Sequence, residues 1–146
     1  MPLIGRIRDE AISTLTEAKM IKAERNERIV RGMLDHYSES KRYFSDNQMV
    51  GLFLQGSQNY DLDTPESDID TKLIVVPSFK SIALAKQPVS TTHVRANNEH
   101  TDWKDIRLYI ETFRKQNLNF LEILFTDYKL LNKDYEGFWK ILECNR

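Results

Sequence analysis

Two short apolar runs, residues 49–54 and 69–76, bracket a polar stretch that begins Gln55-Gly56-Ser57-Gln58-Asn59-Tyr60 and ends Ser67-Asp68. Gly56-Ser57 closes the first run and Pro77 stops the second, so each has the length and punctuation of a strand. Both are expected in one sheet. Side chains alternate faces along a strand, so Asp68 and Asp70 project from one face with Cα atoms about 6.5 to 7 Å apart, while Ile69 points into the core. Lys72 continues the alternation, which puts its ammonium on or near the same face.

That arrangement suits phosphate chemistry. Two carboxylates at this separation can jointly hold a pair of Mg²⁺ ions about 3.5 to 4 Å apart, the geometry of two-metal phosphoryl transfer. The Gly56-Ser57 turn lets backbone approach a phosphate closely, because Gly has no Cβ and takes up positive φ, and Ser57 adds a hydroxyl donor. A surface turn followed by a strand accounts for the same residues without chemistry, since Asp, Ser, Thr, Pro and Asn are ordinary turn formers. A calcium loop does not: counting from Asp61 or Asp63 gives neither the glycine at the sixth position nor the glutamate at the twelfth. A Gly-Ser pair alone carries no signal and an Asp-x-Asp pair little. Their combination between two strands is what points to nucleotidyl transfer.

The remaining composition narrows the setting. A chain of 146 residues with 40% hydrophobic content is long enough for one cored domain and short for two. With 21 basic and 22 acidic side chains, no global field draws it to nucleic acid or membrane. The single cysteine, Cys144, excludes an internal disulfide and a cysteine-based zinc site and fits a reducing interior. No apolar run approaches the roughly 20 residues that span a bilayer, nor does the N-terminus carry a signal peptide's apolar stretch, so a cytoplasmic location is expected.

Residues 6–44 are rich in helix formers, with no proline and one glycine, Gly32, and are read as one or two helices with a bend at that glycine. Lys19, Lys22, Arg25, Arg28 and Arg31 make a basic stripe, but Glu17, Glu24 and Glu27 interleave with it, as on a solvated face. After the second strand a short helix over 80–86 and then an exposed, mobile segment to Asn98 are expected. His93 and His100 fall in or near that segment and are read as solvated. Residues 99–105 read as a third strand. Ile106, Tyr109, Ile110 and Phe113 then recur at helical spacing. Asp105 stands immediately before that helix, as an N-cap does. Asn119 and Glu122 resemble a capping box, with pairing of Glu122 to Arg107 or Lys72 as the alternative. Residues 135–142 read as a last short helix. The whole is organised as one domain: a helical segment over 1–46, a core over 47–130 and a C-terminal helix over 131–146.

Gly56-Ser57, the apolar strand before it and Asp68-Ile69-Asp70 resemble the signature of the DNA polymerase beta superfamily of nucleotidyltransferases. Gly56-Ser57-Gln58-Asn59-Tyr60, Ser67-Asp68-Ile69-Asp70, Val75-Val76-Pro77 and the segment 117–125 are similar to a bacterial and phage branch of predicted members, so the resemblance covers about residues 48–130. Asp61 stands where that branch often has Gly. The resemblance implies an α+β fold, a small mixed β-sheet flanked by helices, and a metal-dependent enzyme that moves a nucleoside monophosphate from an NTP, ATP above all, to a hydroxyl. It implies Mg²⁺, or Mn²⁺ in its place, on Asp68, Asp70 and a third carboxylate from a neighbouring strand. Asp102 and Asp105 are the candidates, and Asp102 is preferred because Asp105 has the capping role. Gly56, Ser57 and Lys72 would bind the nucleotide. The acceptor is an RNA end, a protein hydroxyl or a small molecule. Members of the branch generally continue further, which implies either a minimal form or a partner protein that supplies specificity. The rival reading is a nucleotide-binding or regulatory module of the same fold that does not turn over.

Overall fold

A computed structural model describes the backbone of residues 3–146 and the side chains of residues 17–146; the side chains of 1–16, part of the expected helical segment, lie outside the described residues. The chain forms two compact units, residues 1–31 and residues 32–146. The first is helical from Leu3, within helix α1 (Leu3–Ser40). Its described side chains are mostly exposed, and Arg31 donates to Glu27 at 2.6 Å one turn away. Such a pair is worth about 0.3–0.5 kcal/mol on a solvated helix face.

The second unit is α+β. It holds the last turns of α1 and a mixed sheet of β1 (Met49–Gln55), β2 (Asp70–Val75), β3 (Ser90–Val94), β4 (His100–Asp105) and β5 (Lys129–Leu131), in the order β3-β4-β2-β1-β5. Only β2 and β4 run parallel; the other neighbours are antiparallel. Helices α2 (Phe79–Ala83), α3 (Ile106–Arg114), α4 (Leu118–Leu121) and α5 (Glu136–Cys144) complete it.

Alternation along these strands divides the second unit into two layers. On one face Phe53 and Ile74 join Val50, Tyr109, Ile123, Leu124 and Trp139 in a closed core, with Phe53 and Trp139 rings stacked at 4.4 Å. Each such side chain contributes about 1.5–3 kcal/mol by leaving water. On the other face Thr71 and Thr101 meet His36 from the last turns of α1, and Trp103 packs edge-on against Phe44 at 5.1 Å. Gly32 supplies a close approach to β2: a Cβ there would stand 3.0 Å from Cγ1 of Ile69.

Two expectations need correction. Residues 90–94, expected to be mobile, are an edge strand paired to β4 from Ser90↔Lys104 to Val94↔His100. The strand is exposed along nearly its whole length, so it lacks the half-apolar alternation that marks buried strands; only its β-branched residues hint at it. Residues 129–131 add a further short strand against β1 that the sequence reading did not include.

Candidate functional site

The Gly56-Ser57 bend and the Asp-Ile-Asp segment meet at one end of the β1–β2 hairpin. Gln55, the last residue of β1, lies directly opposite Asp70, the first residue of β2. Gly56 has φ 98° and ψ −156°, a region open to glycine and costly to other residues. Ser57–Tyr60 then forms a single 3₁₀ turn, and Asp61 follows in the left-handed conformation at φ 55°. Aspartate tolerates that conformation, which is the one a glycine takes most easily. The Gln58 amide donates to the Asp68 carbonyl and ties the bend to the acidic segment.

Asp68 is exposed and precedes the strand, Ile69 is 3% exposed, and Asp70 is half-buried. The Asp70 carboxylate accepts from the His100 backbone N–H at 2.9 Å, and the His100 ring Nδ1 lies 3.4 Å from the same oxygen. Asp102 sits beside Lys72 in the parallel β2–β4 ladder and opposite Thr92 of β3. Thr92 donates to it at 2.6 Å, and the Lys72 ammonium lies 3.9 Å from its other oxygen. Strand spacing and rise put the Cα atoms of Asp70 and Asp102 about 8 Å apart on one face.

Lys72 is the unusual member. Only 2% exposed, its ammonium lies 4.0 Å from the centre of the Phe120 ring and 3.5 Å from the Asn119 carbonyl. Burial pushes its pKa down, against the pull of the Asp102 charge. A cleft of about 250 Å³ opens beside it, lined among others by Gln55, Ser90, Asp102, Lys104 and Phe120.

Asp105 goes elsewhere. It is 1% exposed, on the strand face opposite Asp102, and caps α3 by accepting from the Arg107 N–H at 2.9 Å. The Arg107 guanidinium grips both its oxygens at 2.9 and 2.8 Å. Burial pushes its pKa up, and these bonds outweigh it and hold the carboxyl below its usual value.

Glu122 makes neither the capping box nor the pairing with Arg107 or Lys72. The cap of α4 is Asn117, whose side chain accepts from the Asn119 N–H. Glu122 instead accepts from the Gly56 N–H at 2.8 Å and the Asn59 amide at 2.7 Å, bracing the bend from below.

Sequence reasoning missed His36 altogether. It is fully buried, with Nδ1 2.8 Å from the Thr71 hydroxyl and 3.0 Å from that of Thr101, and Nε2 2.9 Å from Glu99. The Glu99 carboxylate can only accept, which makes Nε2–H the donor to it and leaves Nδ1 of the neutral ring to accept from a threonine hydroxyl, that of Thr101 where Thr71 donates to Thr101. The other Glu99 oxygen accepts from the Ile69 N–H at 3.2 Å, between the two aspartates. Arg95 holds Glu99 at 3.0 Å and Glu39 at 2.6 Å, and His93, far from merely solvated, reaches Glu39 at 2.9 Å and stacks on Trp103. Hydrogen bonds from His93 and then Arg95 hold the Glu39 pKa down at about 2. A lone histidine in a charged helix gives no local signal of this.

The candidate donor set is all carboxylate oxygen, which suits Mg²⁺ in kind, and Asp70 and Asp102 share a face. As they stand, Asp70 is engaged by His100 and Asp102 by Thr92 and Lys72. Among the described residues no three His, Cys, Asp or Glu side chains form a group that could hold a metal ion. None of the described helices is long and apolar enough to cross a membrane.

Fold and site together define a small α+β protein with a polar, acid-and-lysine face at one end of a mixed sheet. No protein-family model matches the chain, and neither a characterised protein nor a solved structure is significantly similar to it.

Proposed function

We propose that this chain has a polymerase-beta-like fold and transfers a nucleoside monophosphate from an NTP, ATP in the first instance, to an acceptor hydroxyl. The observation that carries the reading is the rung joining Gln55 to Asp70, which sets the Gly56-Ser57 bend beside the acidic segment, with Gln58 bonded to the Asp68 carbonyl. Gly56 gives the triphosphate a backbone surface without a Cβ, and Ser57 gives it a hydroxyl. Lys72, on the same face, supplies positive charge in a drier setting, where it counts for more than in water. Asp68, Asp70 and Asp102 would hold Mg²⁺, which supplies charge neutralisation for the phosphates when bound. The acceptor oxygen bonds to the α-phosphorus, the bond to the β-phosphate oxygen breaks, pyrophosphate leaves, and the hydroxyl proton passes to Asp102. Positioning and charge account for most of the acceleration.

A second reading, a nucleotide-binding or regulatory module that does not turn over, draws support from one observation: the Asp70 and Asp102 carboxylates are already engaged by His100, Thr92 and Lys72. Incubating the chain with Mg²⁺ and each α-labelled NTP in bacterial lysate separates the two. Label that moves to a macromolecule or metabolite, and stays put with Asp70→Asn, supports transfer; NTP binding without transfer supports the module. Neither binding nor transfer removes both.

A further inference from the structure

Two residues lining the cleft beside Asp102 carry polar groups that are under-bonded for their burial. The Lys72 ammonium is almost fully buried, and besides the Phe120 ring face at 4.0 Å it has only long contacts, to the Asn119 carbonyl at 3.5 Å and Asp102 at 3.9 Å. Gln55 Oε1 is buried with no hydrogen-bond partner among the described residues. A weakly bonded ammonium and an unpartnered amide oxygen, carried by two residues that line one cleft, leave bonds that a ligand can complete.

The surroundings restrict that ligand. Lys104 adds a second ammonium, 5.3 Å from the same Phe120 ring and bonded to the Ser90 hydroxyl at 2.6 Å, with no carboxylate partner among the described residues. Against two lysines stands the one carboxylate of Asp102, so the cleft favours an anion. Gln55 Oε1 and the Asp102 carboxylate accept and do not donate, so a molecule that also brings hydroxyls complements them. The volume, about 250 Å³, leaves room for a small molecule.

We propose that this cleft seats the acceptor, a small hydroxylated phosphate monoester whose phosphate lies between Lys72 and Lys104 and whose hydroxyl is offered to Gln55 and Asp102. Its role as acceptor rests on the transfer reading; its ligand class does not.

The test is calorimetric titration of the full chain with glycerol 3-phosphate, with inorganic phosphate and glycerol in parallel. Glycerol 3-phosphate is expected to bind more tightly than either fragment. Lys104→Gln should weaken it by at least about tenfold. Gln55→Leu should weaken glycerol 3-phosphate while leaving inorganic phosphate unchanged, because only the ester carries the hydroxyl. No binding at millimolar concentration, unchanged affinity in Lys104→Gln, or inorganic phosphate binding as tightly as the ester overturns the proposal. So does exclusion of glycerol 3-phosphate by a non-hydrolysable ATP analogue, which would assign the cleft to the nucleotide's own phosphates. An analogue that binds nowhere sinks the transfer reading, while bound glycerol 3-phosphate still establishes the cleft's ligand.

Discussion

Glu122 accepts a hydrogen bond from the backbone N–H of Gly56 at 2.8 Å across 66 residues of sequence. The contact fixes a glycine that is already in a conformation few other residues adopt, at the point where β1 turns toward the acidic segment. The same carboxylate oxygen holds Asn59, whose other amide atom accepts from Thr126 at 2.6 Å. One side chain thus joins the bend to the segment after α4.

Glu122→Ala leaves the Gly56 N–H without its acceptor and the Asn59 amide with the Leu54 carbonyl alone, and burying a donor unpaired costs about 1–3 kcal/mol. The expected outcome is a lower urea midpoint at unchanged slope. Glu122→Gln keeps a carbonyl acceptor and should recover most of the loss.

Gly32 tests the approach of α1 to β2. Replacing it with alanine gains about 0.5–1 kcal/mol in helix preference, offset by the contact with Ile69 Cγ1 at 3.0 Å. Valine carries two more carbons into that space, and overpacking of this kind costs about 1–3 kcal/mol. Thermal melts should place Gly32→Ala near the parent and Gly32→Val clearly below it.

What was legible in the sequence follows from how locally each feature is encoded. Strands β1 and β2 and helix α3 announce themselves through apolar spacing, and Asp105 is readable as a cap because it stands immediately before a helical repeat. Alternation was enough to put Lys72 on the face of Asp70. Strand β3 hides because both its faces meet water, and β5 because three residues are too few for a period. Glu122 looked like a cap partner by spacing, whereas its partners lie in the bend after β1, 66 and 63 residues earlier in the chain. The engagement of Asp70 by His100, and of His36 by Thr71, Thr101 and Glu99, depends on strand order, which no local pattern carries.

His36 predicts a pH dependence of stability. Burial lowers its pKa below the ordinary value of 6.5, with Arg95 also lowering it, and Glu99 and Asp70 opposing. The unfolded chain therefore binds the proton more readily than the folded one. Stability from this site is fully present above pH 6.5 and is lost as pH falls below 6.5 toward the folded pKa, with a limiting slope of about 1.4 kcal/mol per pH unit. Glu99, whose pKa burial raises but hydrogen bonds from His36 and the Ile69 N–H bring below 4.5, adds its own loss only below that value. Urea midpoints measured across this range should fall on acidification, and His36→Gln should flatten the upper part of the fall while lowering stability at mildly alkaline pH.

The two candidate carboxylates on β4 are separable by experiment because they face opposite ways. Asp105 caps α3 and holds Arg107, so Asp105→Ala should cost about 1–2 kcal/mol, the usual loss for an N-cap. Label transfer should persist in the fraction that remains folded. Asp102 has no capping role, lies beside Lys72 and borders the cleft. Asp102→Asn should melt cooperatively and lose transfer by about 10²–10⁴-fold, the range for removing a group that takes the acceptor's proton. Melting curves and label transfer recorded on the same two samples decide the assignment. Transfer retained by Asp102→Asn and abolished in folded Asp105→Ala would reverse it, and would move the chemistry to the face of the sheet where His36 lies.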